Sequence, residues 1–166
     1  MSKKTDFVEG DFVVYPAHGV GRITGVETHQ IADMEVTLYV ITFEKDRMTL
    51  RLPVTKAKES GLRKLSSKDR IKDALSTLQG RSKSKKVMWS RRAQEYETKI
   101  NSGDLVSIAE VVRDLHKEDG QQEQSYSERQ IYQAALERLA RELAAVEDID
   151  HKEATEKLET FLKRAA

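Results

Sequence analysis

The sequence predicts an α+β fold in two domains: a small antiparallel β barrel of the Tudor or SH3 kind, then a compact all-α bundle of about five helices. Three observations carry this. Between residues 7 and 53, β-branched and aromatic residues alternate with polar ones and are punctuated by glycines. After Pro53 the apolar spacing changes to threes and fours and keeps that period to the end of the chain. Most of the later periodic segments begin on a capping residue or end on a glycine. The expected domains span residues 1–60 and 61–166.

The strands come first. Phe12 to Tyr15 is one, and Val20 to Glu27, broken by Gly19, Gly21 and Gly25, is a second that bends sharply. Val36 to Phe43 is the strongest. After a polar turn at Glu44 to Asp46, Arg47 to Leu52 alternates: Met48, Leu50 and Leu52 fall on one face, and Arg47, Thr49 and Arg51 on the other. Residues 54–65 read as a connection. Ser66 with Asp69 is the expected cap of a helix reaching Leu78, with Ile71, Leu75 and Leu78 on one side. Gly80 stops it, and residues 81–87 are expected to be a loop. A helix from Met88 to Asn101 ends at Gly103, and Asp104 caps the next, which buries Leu105, Ile108, Val112 and Leu115. Asp119 to Gln124 is a polar loop. Ser125 and Glu128 cap a helix with Tyr132, Leu136, Leu139, Leu143 and Val146 inward. Asp150 and Glu153 cap a last one with Ala154, Leu158, Phe161, Leu162 and Ala165 inward.

Charge is unevenly spread. The net charge is +1 over 166 residues, but residues 1–62 carry −1, residues 63–117 carry +7 and residues 118–166 carry −5. The basic middle third favours an anionic partner. With no cysteine there are neither disulfides nor thiolate metal sites, which fits a reducing, cytoplasmic setting. No apolar run approaches a membrane span, and the N-terminus has no hydrophobic stretch of the secretory kind.

Enzyme chemistry finds little support. No pair among His18, His29, His116 and His151 has the spacing of helical metal ligands. Asp11 and His18 lack a nucleophile elbow to complete a triad. Gly19-Val20-Gly21 precedes no helix, so it is not a phosphate cradle. Phe12, Tyr15, Tyr39 and Phe43 read either as an aromatic cage for a cation or, more simply, as the core of the barrel. No catalytic residue, metal or cofactor is expected.

Two binding features remain. The fourth strand offers Arg47, Thr49 and Arg51 on a short edge that can extend a partner's sheet. The stretch from Arg81 to Arg92 holds six basic residues, no acidic one and the only tryptophan, Trp89. Cations beside one large flat ring suit contact with a nucleic-acid backbone and insertion at a base step. The spacing of Trp89, Ala93, Tyr96 and Ile100 equally suits the core stripe of a helix. Arg91 and Arg92 are expected to point away from that stripe, and Arg129 to add a phosphate contact near a helix N-terminus. An alternative is a peptide-binding adaptor with an aromatic-lined β domain and no DNA contact.

Gly10-Asp11-Phe12-Val13-Val14-Tyr15-Pro16-Ala17-His18-Gly19-Val20-Gly21, Trp89-Ser90-Arg91-Arg92, Ser102-Gly103-Asp104 and Ala109-Glu110-Val111-Val112-Arg113-Asp114-Leu115 together resemble the CarD/CdnL family of bacterial transcription regulators. The resemblance spans nearly the whole chain. It implies an N-terminal RNA-polymerase-interaction domain, shared with the transcription-repair coupling factor, that docks on the polymerase β subunit by extending a sheet. It implies a helical domain that touches promoter DNA at the upstream edge of the melted region, near the −10 element. There the family's tryptophan, matching Trp89, wedges into the minor groove and stabilises the open complex. Arg51 matches a polymerase-contacting arginine, with Thr49, Arg47 and Ile31 on the same surface. His29 stands where some members have a second arginine. Arg91, Arg92 and Arg129 match DNA-contacting positions, and Gln94 stands where some members carry lysine. Lys85 and Lys86, in an unusually basic run, are further candidates for the DNA backbone. On this reading Trp89 is partly packed with an exposed edge, and the protein is a monomer without cofactor or membrane contact.

Overall fold

Strand β1 (Phe12–Tyr15), β2 (Gly19–Ile31), β3 (Met34–Phe43), β4 (Met48–Pro53) and β5 (Arg63–Lys64) form one antiparallel sheet in the order β4-β3-β2-β1-β5. They belong to a computed structural model that describes residues 6–80, 88–116 and 125–164. The chain forms two compact units, Met1–Leu65 and Ser66–Ala166.

Alternation builds the first unit. Val13, Ile23, Tyr39, Ile41, Phe43 and Leu52 fill one side of the sheet, closed by Phe7, Ala57 and Leu62. Tyr39 Oη accepts from the backbone N–H of Asp6 and Phe7, at 3.0 and 3.4 Å, and so draws the N-terminal segment over the core. Gly21 is where β2 passes closest to that core: a Cβ there would lie 2.7 Å from the Phe43 ring and 2.8 Å from Ile41. The β2–β3 hairpin turns through Ala32 and Asp33 at φ 48 and 64°, the two positive values that a twist-matched two-residue loop requires.

Three expectations need correction here. The connection after Pro53 contains a short 3-10 helix, Val54–Lys56, and β5, which pairs Arg63 with Val14. A two-residue strand leaves no period to read. Arg47 lies in the turn before β4, with φ 49°, and not on the strand. The four aromatics form no cage. Tyr39 and Phe43 are each 1% exposed in the core, and Tyr15 packs half-buried on Phe43. Phe12 lies on the other face, 43% exposed, beneath the Arg22 guanidinium.

The second unit holds α1 (Lys68–Leu78), α2 (Trp89–Asn101), α3 (Leu105–Leu115), α4 (Tyr126–Glu147) and α5 (His151–Arg164). Helix α3 is the pillar: Leu105, Ile108, Ala109, Val111, Val112 and Leu115 are all buried, and α1, α2 and α4 pack on it. Caps set the boundaries. Asp104 accepts from Ser107 N, Ser125 from Glu128 N, and Asp150 from Glu153 N. Gly103, at φ 74°, gives the left-handed turn between α2 and α3, and Asp148, at φ 54°, ends α4.

The cap of α1 is Ser67, which accepts from Arg70 N. Ser66 is not the cap: its N–H donates at 2.8 Å to Glu142 of α4, a buried carboxylate. The α4 stripe is turned by about one residue, to Ile131, Ala135, Leu139, Ala140 and Leu143, while Tyr132, Leu136 and Val146 are half-buried at its flanks. Small Ala135 and Ala140 lie where the helix is covered most completely, so size, and not apolarity alone, chose the inner line. Phe161 is likewise half-buried beside buried Leu158 and Leu162. The expected loops at 81–87 and 119–124, and Ala165, lie outside the described residues.

Candidate functional site

Two surfaces gather the candidate residues, one in each unit. In the first, strand register decides the face. Val40 pairs Arg51, Thr42 pairs Thr49, Leu38 pairs Glu27, Val36 pairs His29 and Met34 pairs Ile31. Side chains alternate along a strand, so all of these share the face opposite the core. Thr49, Arg51, His29 and Ile31 therefore share one face, strung along it from Thr49 beside Thr42 to Ile31 beside Met34; Arg47, in the turn, is exposed but outside this alternation. Ile31 and Met34, 55% and 68% exposed, put an apolar tip on the hairpin. Strand β4 ends the sheet, so among the described residues no strand covers its outer edge.

Glu27 organises this face and was not apparent from the sequence. Its carboxylate accepts from His29 Nε2 at 3.1 Å and from Arg51 Nε at 3.2 Å. Hydrogen bonds from His29 and then from Arg51 hold the Glu27 carboxyl below the usual range. Arg51 is thus tied at Nε to Glu27 while its side chain stays largely exposed. The missed signal was weak: three residues, two on one strand and one on another, that only the register places side by side.

In the second unit, Trp89 is the first residue of α2 and Ser127 lies in the first turn of α4. The indole N–H donates to Ser127 Oγ at 2.8 Å, which brings the N-termini of the two helices together. Trp89 is half-buried, with one side on the helical core and its ring 6.2 Å from that of Tyr96. Trp89 thus joins the core stripe in part and keeps an exposed part. Met88 and Tyr126, at 78% and 73% exposure, flank this point. Helix α2 has no side-chain cap and no acidic residue in its first turn, so its amide groups and dipole favour a nearby anion. Arg91 and Arg129 are exposed in the opening turns of α2 and α4.

Arg92 departs from expectation. It does not point away from the apolar stripe: it is half-buried, its guanidinium lies 5.5 Å from the Trp89 ring centre, and one Nη donates to Tyr96 Oη at 3.1 Å. Spacing explains this, since residue 92 is three after Trp89 and four before Tyr96, on one helix face. Gln94 is exposed. Lys85 and Lys86 lie outside the described residues. Among the described residues there is no cluster of three metal-ligating side chains, and no helix is long and apolar enough to cross a membrane.

The chain thus joins a β unit that ends on β4 to a helical unit in which a ring and cations stand at two helix N-termini. Residues 7–66 match the CarD-like/TRCF RID domain, and residues 73–159 match the CarD C-terminal domain. The chain belongs to the CarD/CdnL family of transcription factors. It is 29% identical over 147 residues to "Putative transcription factor YdeB" of Bacillus subtilis (strain 168), covering 89% of this chain and 96% of that protein. It is also similar to a solved structure described as "CdnLNt from Myxoccoccus xanthus", at 32% identity and a TM-score of 0.33, over 41% of this chain and 96% of that one.

Proposed function

We propose that the protein holds RNA polymerase and promoter DNA at once and stabilises the open promoter complex. The β unit docks on the polymerase β subunit through the open edge of β4, with Arg51, Thr49, His29 and Ile31 on the contacting face and Arg47 at its margin. Main-chain hydrogen bonds along a shared edge give affinity, and the side chains give specificity. The helical unit meets the minor groove near the −10 element, at the upstream edge of the bubble. Arg91 and Arg129 contact phosphate there, with Lys85 and Lys86 beyond the described residues as further candidates. The chain acts as a monomer in the cytoplasm, associated with the nucleoid through polymerase, and performs no catalysis.

The observation that carries this reading is the placement of Trp89. A ring braced at a helix start, hydrogen-bonded to a second helix and flanked by cations, is built to project a rigid apolar edge toward a polyanion. Inserting such an edge into an intact duplex costs a few kcal/mol of unstacking, and less at a junction already opened. The ring therefore favours the melted state by its difference in affinity for the two states, and by no more than that. No helix is committed to base edges in this account, so sequence preference is slight.

Binding of the full chain to a polymerase β-subunit fragment tests the docking half. Arg51→Glu, which puts a second carboxylate beside Glu27, is expected to abolish binding while the sheet stays folded. Undiminished binding by that variant would remove the β4 face from the account.

A further inference from the structure

The geometry points to Arg92 as a positioning residue that braces the Trp89 ring, and not as a phosphate contact. The inference deepens the reading of Trp89 as the DNA-inserting ring and rests on it. Arg92 Cζ lies 5.5 Å from the Trp89 ring centre and 5.6 Å from that of Tyr96, so the guanidinium packs against both rings. One Nη is spent on Tyr96 Oη at 3.1 Å, and Nε is buried with no hydrogen-bond partner among the described residues. A cation so placed stabilises the faces of two rings, and with Nε buried and one Nη on Tyr96 Oη it does not offer its Nε–Nη side as a two-pronged fork to a phosphate. Arg91, one residue earlier and exposed, has the opposite character.

The indole is consequently held at three points: its backbone at the start of α2, its N–H on Ser127, and its face against Arg92. Each removes freedom about the two side-chain torsions of Trp89. Pre-ordering a side chain before binding raises affinity by cutting the ordering cost. A guanidinium does this better than an ammonium, because its planar head reaches the Trp89 ring and the Tyr96 hydroxyl at once while an ammonium is a compact point charge. Charge and bracing are therefore separable by Arg92→Lys.

The test uses the full chain and a duplex containing a mismatched bubble. Trp89 is the only tryptophan, so its emission and anisotropy report on its own ring. Arg92→Lys, measured where circular dichroism shows it fully folded, is expected to lower the anisotropy of Trp89 and weaken DNA binding about three- to tenfold. The slope of log affinity against log salt should stay as in wild type, whereas Arg91→Gln should reduce it by about one. In a Trp89→Ala background, Arg92→Lys should have no further effect, because it acts through the ring.

Wild-type anisotropy and affinity in Arg92→Lys would overturn the brace. So would a salt slope that Arg92→Gln lowers as Arg91→Gln does, or losses that add to those of Trp89→Ala. If Trp89→Ala alone leaves DNA affinity unchanged, the inserting-ring reading fails, and the anisotropy still decides whether Arg92 fixes the ring.

Discussion

Asp104 links the caps of the helical unit to a measurable stability. Its carboxylate accepts from Ser107 N at 3.1 Å and from Ser107 Oγ at 2.8 Å, and it also receives the Arg70 guanidinium. Asp104→Ala removes the cap of α3, the helix on which α1, α2 and α4 pack, so local fraying passes to the whole unit. Loss of such a cap costs about 1 kcal/mol. The Arg70 pair is open to solvent and adds little. For a unit of this size, about 1 kcal/mol lowers the thermal midpoint by roughly 4–8 °C. Trp89 fluorescence follows the transition, because the only tryptophan lies in this unit. Asp104→Asn keeps a good capping side chain and should lose less than half as much. Burial works to raise the Asp104 carboxyl, but hydrogen bonds from Arg70 and Ser107 outweigh it and hold the group below its usual range. A depressed carboxyl contributes stability that is present above the unfolded value, near pH ~4, and lost as pH falls through the folded one. The wild-type advantage over Asp104→Asn should fade in that acid window. An Asp104→Ala midpoint within about 1 °C of wild type would refute the capping argument.

Gly21→Ala forces a methyl against Phe43 and Ile41 and should cost about 1–3 kcal/mol in urea unfolding of the β unit; an unchanged midpoint would mean that β2 does not approach the core this closely. Burial, with Glu159 adding to it, pushes the Tyr132 phenol up to about 12. A raised phenol contributes stability that is complete below its unfolded value, near pH ~10, and lost as pH rises through about 12, so the helical unit should weaken across that window and Tyr132→Phe should flatten the loss. Glu142→Ala strips the buried acceptor of Ser66 N and should cost about 1.5–3 kcal/mol by chemical unfolding followed at Trp89.

Much of this architecture is legible in the chain because it is local. Ser125 and Asp150 announce their helices by a cap three residues ahead of a partner, and Met48 to Leu52 declares its buried face by alternation. What the sequence hides is set across the fold. Ser127 reaches Trp89 from 38 residues away, and no period connects them. Glu27 meets Arg51 only because β3 lies between their strands in one register. Ser66 looks like a cap on composition, yet its neighbour Ser67 has the extended backbone and takes the role. Arg92 is hidden for a related reason: its charge suggests solvent, yet its place three residues after one ring and four before another lets its planar head pack inward.

The lifetime of the polymerase–promoter open complex, measured after a competitor challenge, tests the central claim most directly. Wild-type protein should lengthen it. Folded Trp89→Ala should bind polymerase normally yet give no lengthening, and Arg51→Glu should lose the effect through failed docking. A lifetime that wild type leaves unchanged, or that Trp89→Ala extends as fully as wild type, would contradict the account.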